Sequence, residues 1–538
     1  MLEEETRNKF YRNLFCKKTG CRGWGELFVS AYLLLMFGVY PFYMKQGYVD
    51  IGEAKYDFFI YCALAAVGFL GTVGIIRYAV VLLKRIKRRE PYLICWENLS
   101  ATDLFVILYA TEIFISYVLS DYRWEALWGT EGWHIGLVPL LVLCALYFLI
   151  SRFWDGKAYV WYVGMAASAV VFVLGILDRF SIYLIPLEIR QPAFISTLGN
   201  INWFCGYLTV IAPIGAYIFL FWERGEANDG GHPVKWKKWL AGEYVVTAFM
   251  AGFCQGGSSV FLFFAALFYL LLWKAVEKRK WLADYCFLVF LWGLSAQLVR
   301  VMRWLLPGKY NYDTDNLCAY LTDSNVTLAV LAAAFCLYLW MKDWDFTGKW
   351  SWDLRAESAH KILGCILAGG IFVWIALTVF NTWKGTISFP GGEMFVFDET
   401  WGNGRGAALK AGVYMYGRMP FINKIFGIGP DCFSVYAYSL PETAGMLRES
   451  FGGDRLTNAH NELLTCLVNT GIAGVILYLG IFISFIVRHL KKGTFISHMA
   501  IICILCYFIH NMVSFAQVLN LPFVFLIMAM GEGKRNER

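Results

Sequence analysis

The chain of 538 residues is 59% hydrophobic, 18% aromatic and only 16% charged, with a positive mean hydropathy. That is more apolar surface than one water-soluble core buries, so most of the chain has lipid as its solvent and an ordinary soluble enzyme is excluded. The net charge of +7 sits in Lys and Arg clusters between apolar stretches; this is loop charge, which argues against a nucleic-acid partner.

The N-terminus carries Arg7, Lys9, Arg12, Lys17, Lys18 and Arg22 before the first apolar run. No small-residue cleavage site follows that run, so the first segment is expected to stay as an anchor. A crossing helix needs about 20 apolar residues. Windows of this kind fall near 26–44, 57–83, 101–119, 134–150, 158–177, 202–222, 240–255, 259–273, 283–299, 326–341, 362–380, 463–487, 495–512 and 515–531. With a cytoplasmic N-terminus, the inner segments hold 31 Lys and Arg and the outer ones 15, as the positive-inside rule requires. The expected organisation is a basic cytoplasmic N-terminus over 1–25, eleven helices across 26–380, a large outer loop over 381–462, three helices across 463–531 and a cytoplasmic tail over 532–538. Most of the fifteen cysteines, among them Cys62, Cys144, Cys286, Cys365, Cys503 and Cys506, lie inside the apolar windows. There they read as small buried side chains, and no disulfide framework is implied.

Residues with chemistry gather on the outer side. Asn200 and Asn202, at the mouth of the sixth span, are placed to bind sugar hydroxyls or to cap a helix, and Arg179 and Arg190 in the same loop are phosphate candidates. Asp313 and Asp315 form D-x-D, but nucleotide sugars are cytoplasmic donors and this loop faces out, so no metal is expected. Glu112 and Glu243 fall within spans, where carboxylates are costly. In 381–462, Trp383, Trp401, Tyr414, Tyr416, Tyr436 and Tyr438 suit an interfacial lid or a sugar-binding surface. Arg405, amid small residues, either clamps an anion bidentately, with Lys410 and Arg418 near, or belongs to a solvated basic loop. The run IFGIGPDCF, 425–433, marks a fixed turn.

His460 and Asn461 stand where the outer loop enters a span. Asn458 is the expected N-cap, and a helix N-terminus there offers free N–H groups to a phosphate. Gly471 and Gly474 are expected to let another helix approach. Taken alone, His460 reads more readily as an interfacial histidine than as a chemical group. His510 and Asn511 repeat the His-Asn pair without the glycines.

The order His460, Asn461, nine residues, Gly471, Gly474 resembles the signature of the O-antigen ligase and polysaccharide polymerase superfamily of bacterial membrane glycosyltransferases. Arg405 with Leu409 is similar to the family's Arg-x-x-x-Leu element, and FGIGPDCF and TLGNINWFCGYL resemble further family segments in the same chain order. One departure is QGGSS at 255–259, where the family often has Ser-Arg-Gly; Arg179, Arg190, Arg300 and Arg303 are the available substitutes. The resemblance implies an all-α, polytopic membrane helix bundle of GT-C-like architecture with one large outer loop. It implies transfer of a glycan from an undecaprenyl (polyprenyl) diphosphate in the outer leaflet to the hydroxyl of a glycan or lipid-linked acceptor, with no cofactor and no essential metal. His460 would then be the general base, Arg405 the cation on the diphosphate, and Asn461 the residue orienting the His or the sugar. The alternatives are a repeat-unit polymerase and, from another class, a lipid-linked oligosaccharide flippase. The eighty-residue outer loop carrying Arg405 and His460 speaks against a flippase. The setting is the plasma membrane, with both termini cytoplasmic and the site facing outward.

Overall fold

The structure, a computed structural model, describes residues 20–88, 99–187, 190, 192–222, 235–255, 258–311, 317–343, 352–385, 395–452 and 455–533. Asp313, Asp315 and the Gly-Gly of the 255–259 run lie outside them, as does most of the basic N-terminus. The described residues are almost wholly helical: α1 (Gly20–Leu34), α2 (Ile51–Arg88), α3 (Ala101–Leu119), α4 (Arg123–Trp128), α5 (Leu137–Phe153), α6 (Tyr159–Arg179) and α7 (Ile201–Phe221) lead the chain. There follow α8 (Lys235–Gln255), α9 (Ser258–Ala275), α10 (Arg279–Leu305), α11 (Leu317–Asp323), α12 (Asn325–Asp343) and α13 (Trp352–Lys384). The remainder comprises α14 (Trp401–Arg418), α15 (Phe421–Phe426), α16 (Phe433–Ser439), α17 (Pro441–Phe451), α18 (Glu462–Lys492), α19 (Phe495–His510) and α20 (Leu521–Glu532). The described sheet is a two-residue antiparallel ladder, Phe194–Ile195 on Gly199–Asn200, that closes the turn before α7.

Nine of the described helices are long and apolar enough to cross a membrane, and four further apolar helices are shorter. The chain is therefore an all-α polytopic membrane protein, and each expected apolar window overlaps a helix. α7 is apolar all round and its span is buried throughout, so it is the axis of the bundle. α8 and α19 pack against it. α13 is at the other extreme: the most apolar stretch of its span has no buried residue, so its Ile366, Phe372 and Val379 are left for lipid tails.

Hydrogen bonds sort the helix ends into two layers. In one, Tyr40 beyond α1 bonds Val518 before α20 (2.7 Å), Tyr48 bonds Ser196 (2.9 Å) and Ser116 on α3 bonds Asn469 on α18 (3.1 Å). In the other, Arg152 at the end of α5 bonds Asp103 at the start of α3 (2.6 Å), and Arg279 bonds the Met341 carbonyl (2.6 Å). The first layer carries α14 to α17, and α14, α16 and α17 with Cys432 build a second small core from Ala408, Ala411, Met415, Cys432, Phe433 and Leu447. The large loop is thus a folded helical cap.

One local expectation is corrected and another extended. Asn461, not Asn458, caps α18: its side chain accepts from Leu464 N at 2.9 Å, while Asn458 accepts from His460 N at 2.9 Å. Gly471 does let α15 approach closely, but it also breaks α18, with φ 67° and ψ −172°, a region open essentially to glycine alone. The carbonyls freed by the break accept from the 427–429 turn, Val468 O from Ile428 N (3.3 Å) and Asn469 O from Gly429 N (3.0 Å). A Cβ on Gly471 would collide with Ile425 O at the end of α15, so this segment docks only on glycine.

Candidate functional site

The turn at 457–461 is held from every side. Besides the Asn458 bond to His460 N, Ala459 N donates to Thr465 Oγ1 (3.0 Å) and Asn461 Nδ2 donates to the Met512 carbonyl (3.0 Å). Under these restraints His460 takes φ 49°, left-handed for a non-glycine residue, the strained backbone found where surrounding structure over-determines a conformation. Its imidazole sits edge-on to Phe515 at 5.3 Å; Phe515 meets Trp133 at 4.8 Å, and Trp133 meets Trp203 of α7 at 5.4 Å. An aromatic file therefore fixes the imidazole against the bundle axis. Its ring nitrogens make no hydrogen bond among the described residues.

Arg405 lies in the first turn of α14, where Gly402 and Gly404 adopt φ 62° and 86°. Its Nη1 donates to the Gly402 carbonyl at 2.7 Å, and its Nε is buried without a hydrogen bond among the described residues. Burial lowers its pKa from the ordinary value, though a guanidinium keeps its charge. Arg405 and His460 are 55 positions apart in sequence, yet the arginine's charge reaches the imidazole. Burial first, and the Arg405 charge second, push the His460 pKa down to about 4. His460 is a neutral imidazole at physiological pH, able to accept a proton.

The remaining sequence candidates divide. Asn461 lies beside His460, but both ends of its amide are committed to the protein. Lys410 pairs with Glu399 at 2.6 Å on the exposed face of α14. Arg418 lies at the other end of that helix, over the Tyr414 ring at 5.2 Å; thirteen residues at 1.5 Å rise place it roughly 20 Å from Arg405. Neither is brought to Arg405. Asn200 caps α7, accepting from Asn202 N at 2.8 Å, so capping is its use. Arg179 and Arg190 form a second basic group at the end of α6. Arg179 is fully buried, donating to Gln255 Oε1 (2.9 Å) and to the Pro192 carbonyl (2.6 Å). Arg190 stacks on Tyr183 at 3.8 Å and stands 3.7 Å from Asp178. Arg179 thus puts its guanidinium on Gln255, the first residue of the run that lacks the family's arginine. Glu243 is exposed on its helix, whereas Glu112 is buried with both oxygens unbonded among the described residues.

Sequence reading passed over the residues behind His460. Glu462 accepts from Tyr507 (2.8 Å), Tyr478 and Asn511. Asp431 lies in the docked turn, where its carboxylate accepts from Thr130 N (2.8 Å) and Ile135 N (3.0 Å). Burial raises its pKa to about 6 against the effect of these bonds. A cavity of about 60 Å³ opens between these groups, lined by Trp133, Asp431, Asn458, Glu462, Asn469 and Phe515 among others. The signal for Glu462 was its place next to His-Asn; nothing local marked Asp431 beyond the fixed turn. Among the described residues no group of side chains is arranged to hold a metal ion.

Compared with known proteins, residues 316–479 match the family model described as O-antigen ligase. No curated protein matches the chain.

Proposed function

We propose, from the match of residues 316–479 to the O-antigen ligase family model, that the chain is a glycosyltransferase that moves a glycan from an undecaprenyl (polyprenyl) diphosphate to an acceptor hydroxyl at the outer face of the plasma membrane. Fourteen crossings with both termini cytoplasmic put the helical cap, Arg405 and His460 on that face, in keeping with the distribution of Lys and Arg. The observation that carries the reading is the charge of Arg405 reaching a buried, neutral His460, both inside the matched segment.

The two side chains supply what this transfer needs. A His460 ring nitrogen takes the proton of the acceptor hydroxyl as its oxygen attacks the anomeric carbon. The bond from that carbon to the diphosphate oxygen breaks, and the electron pair leaves with the diphosphate. Arg405 stabilises the charge that grows there. With Nη1 held by Gly402, its Nε–Nη2 edge remains for a bidentate grip on an oxyanion. Arg179 and Arg190 are a second anchor for the lipid-linked donor.

The test is His460→Ala in cells, with membrane levels matched. Loss of the base costs about 10² to 10⁴ in rate, so intact polyprenyl-linked glycan should accumulate on the outer face. Accumulation on the inner face would indicate a flippase, and undiminished transfer would remove His460 from the chemistry.

A further inference from the structure

His510 closes α19 beside this site, and its hydrogen bonding settles which ring nitrogen carries the proton. Asn511 Nδ2 donates to the Glu462 carboxylate, so the oxygen of that amide is the atom turned to His510, with Oδ1 2.8 Å from Nδ1. An amide oxygen only accepts, so Nδ1 bears the hydrogen and Nε2 keeps a lone pair. Glu462 is itself held by the hydroxyls of Tyr478 and Tyr507. The relay Glu462–Asn511–His510 is therefore a fixed orienting device of the kind that sets a histidine tautomer.

The Nε2 so prepared is fully buried and makes no hydrogen bond among the described residues. A buried acceptor left unmatched is costly unless it serves a ligand. It adjoins the site through the backbone: Glu462 N, two residues beyond His460, donates to the Asn511 carbonyl (3.0 Å), and Asn461 is tied to Met512, two residues beyond His510. A lone pair of this kind cannot bond a phosphate oxygen, which also only accepts. It suits an O–H donor.

We propose that His510 Nε2 accepts a hydrogen bond from a second hydroxyl of the acceptor sugar, next to the hydroxyl that His460 deprotonates, so that the site selects polyol acceptors. This rests on the glycosyl-transfer reading above. His510 would be a specificity-determining contact that binds the acceptor and leaves the donor untouched.

Two isosteric variants separate ligand binding from support of the fold. His510→Asn keeps a donor at the Nδ1 position for Asn511 and deletes the Nε2 acceptor. His510→Gln restores an acceptor near Nε2 and loses the donor. Membranes carrying equal amounts of each protein are supplied with labelled polyprenyl-linked glycan extracted from the host, and the host's glycolipid extract is titrated as acceptor. His510→Asn should raise the half-saturating acceptor concentration about tenfold, the worth of one hydrogen bond, at unchanged donor dependence, and His510→Gln should recover most of it. A harmless Asn with a damaging Gln, equal loss in both, or a change in donor dependence would overturn the assignment. Absence of transfer by the unaltered protein would instead sink the glycosyl-transfer reading, and this contact with it.

Discussion

A histidine that accepts a proton at neutral pH must itself be unprotonated, and His460 has two causes for that: burial, and the nearby charge of Arg405. The profile of kcat/KM against pH should therefore stay level from neutrality downward and fall only near pH 4, not near the ordinary histidine value of about 6.5. Arg405→Gln removes the second cause and should move that acid limb upward. Arg405→Lys keeps the charge and leaves the limb in place, yet should lose much of the rate, because an ammonium gives one point contact where the guanidinium edge gives two. A wild-type limb near 6.5, or full activity in Arg405→Lys, would contradict the geometry. The linkage to stability has the sign of a depressed pKa. The contribution of His460 is present above about pH 6.5 and lost as the pH falls toward 4, where the folded imidazole must charge.

Among elements, the broken α18 and the turn docked on it position the site. Gly471→Ala forces a Cβ into the Ile425 carbonyl from a backbone conformation that alanine avoids. It should cost at least about 1–3 kcal/mol and lower the melting temperature in detergent; an unchanged melting temperature would mean that the break is dispensable. Asp431 pins the same turn to the 130–135 loop. Its folded pKa of about 6 exceeds the unfolded value, so its contribution is fully present below about pH 4 and lost as the pH rises through 6. Asp431→Asn should match or exceed the wild type in stability at pH 8, since a neutral amide oxygen can still accept both N–H groups. Asp431→Ala should be destabilised at every pH, by about 1–3 kcal/mol for each donor left unmatched. Melting curves at pH 5 and pH 8 check both.

At the scale of the molecule, the two layers of helix ends face opposite sides of the membrane. Glu449 is exposed on α17 in the layer of the cap, and Lys157 is exposed in the short loop between α5 and α6, in the opposite layer. Cysteines introduced at Glu449 and at Lys157 should differ accordingly. The first should react with an impermeant thiol reagent in intact cells above the wild-type background, and the second only after the membrane is opened. Reversed labelling would turn the site toward the cytoplasm and end the proposal of an outer-leaflet donor. The bundle itself tolerates no comparable ambiguity, because backbone groups in lipid must be satisfied within helices.

By itself the sequence determined that this chain lives in a membrane, roughly where its apolar helices lie, and that Arg405 and His460 stand out. These are local properties: runs of apolar side chains, charge beside them, and a short motif whose spacing one helix sets. Only the tertiary structure decided that the charge of Arg405 reaches His460 while Lys410 pairs with Glu399 and Arg418 sits at the far end of α14, since helix phase and the folding of the cap set these positions. It also decided that Gly471 breaks a helix, that Asn461 and not Asn458 caps it, and that Asp431 ties two loops. His510 was legible as a residue but not as a partner. Its meaning lies in hydrogen bonds to Asn511 and, through it, to Glu462, a contact between residues 49 positions apart that no local pattern encodes.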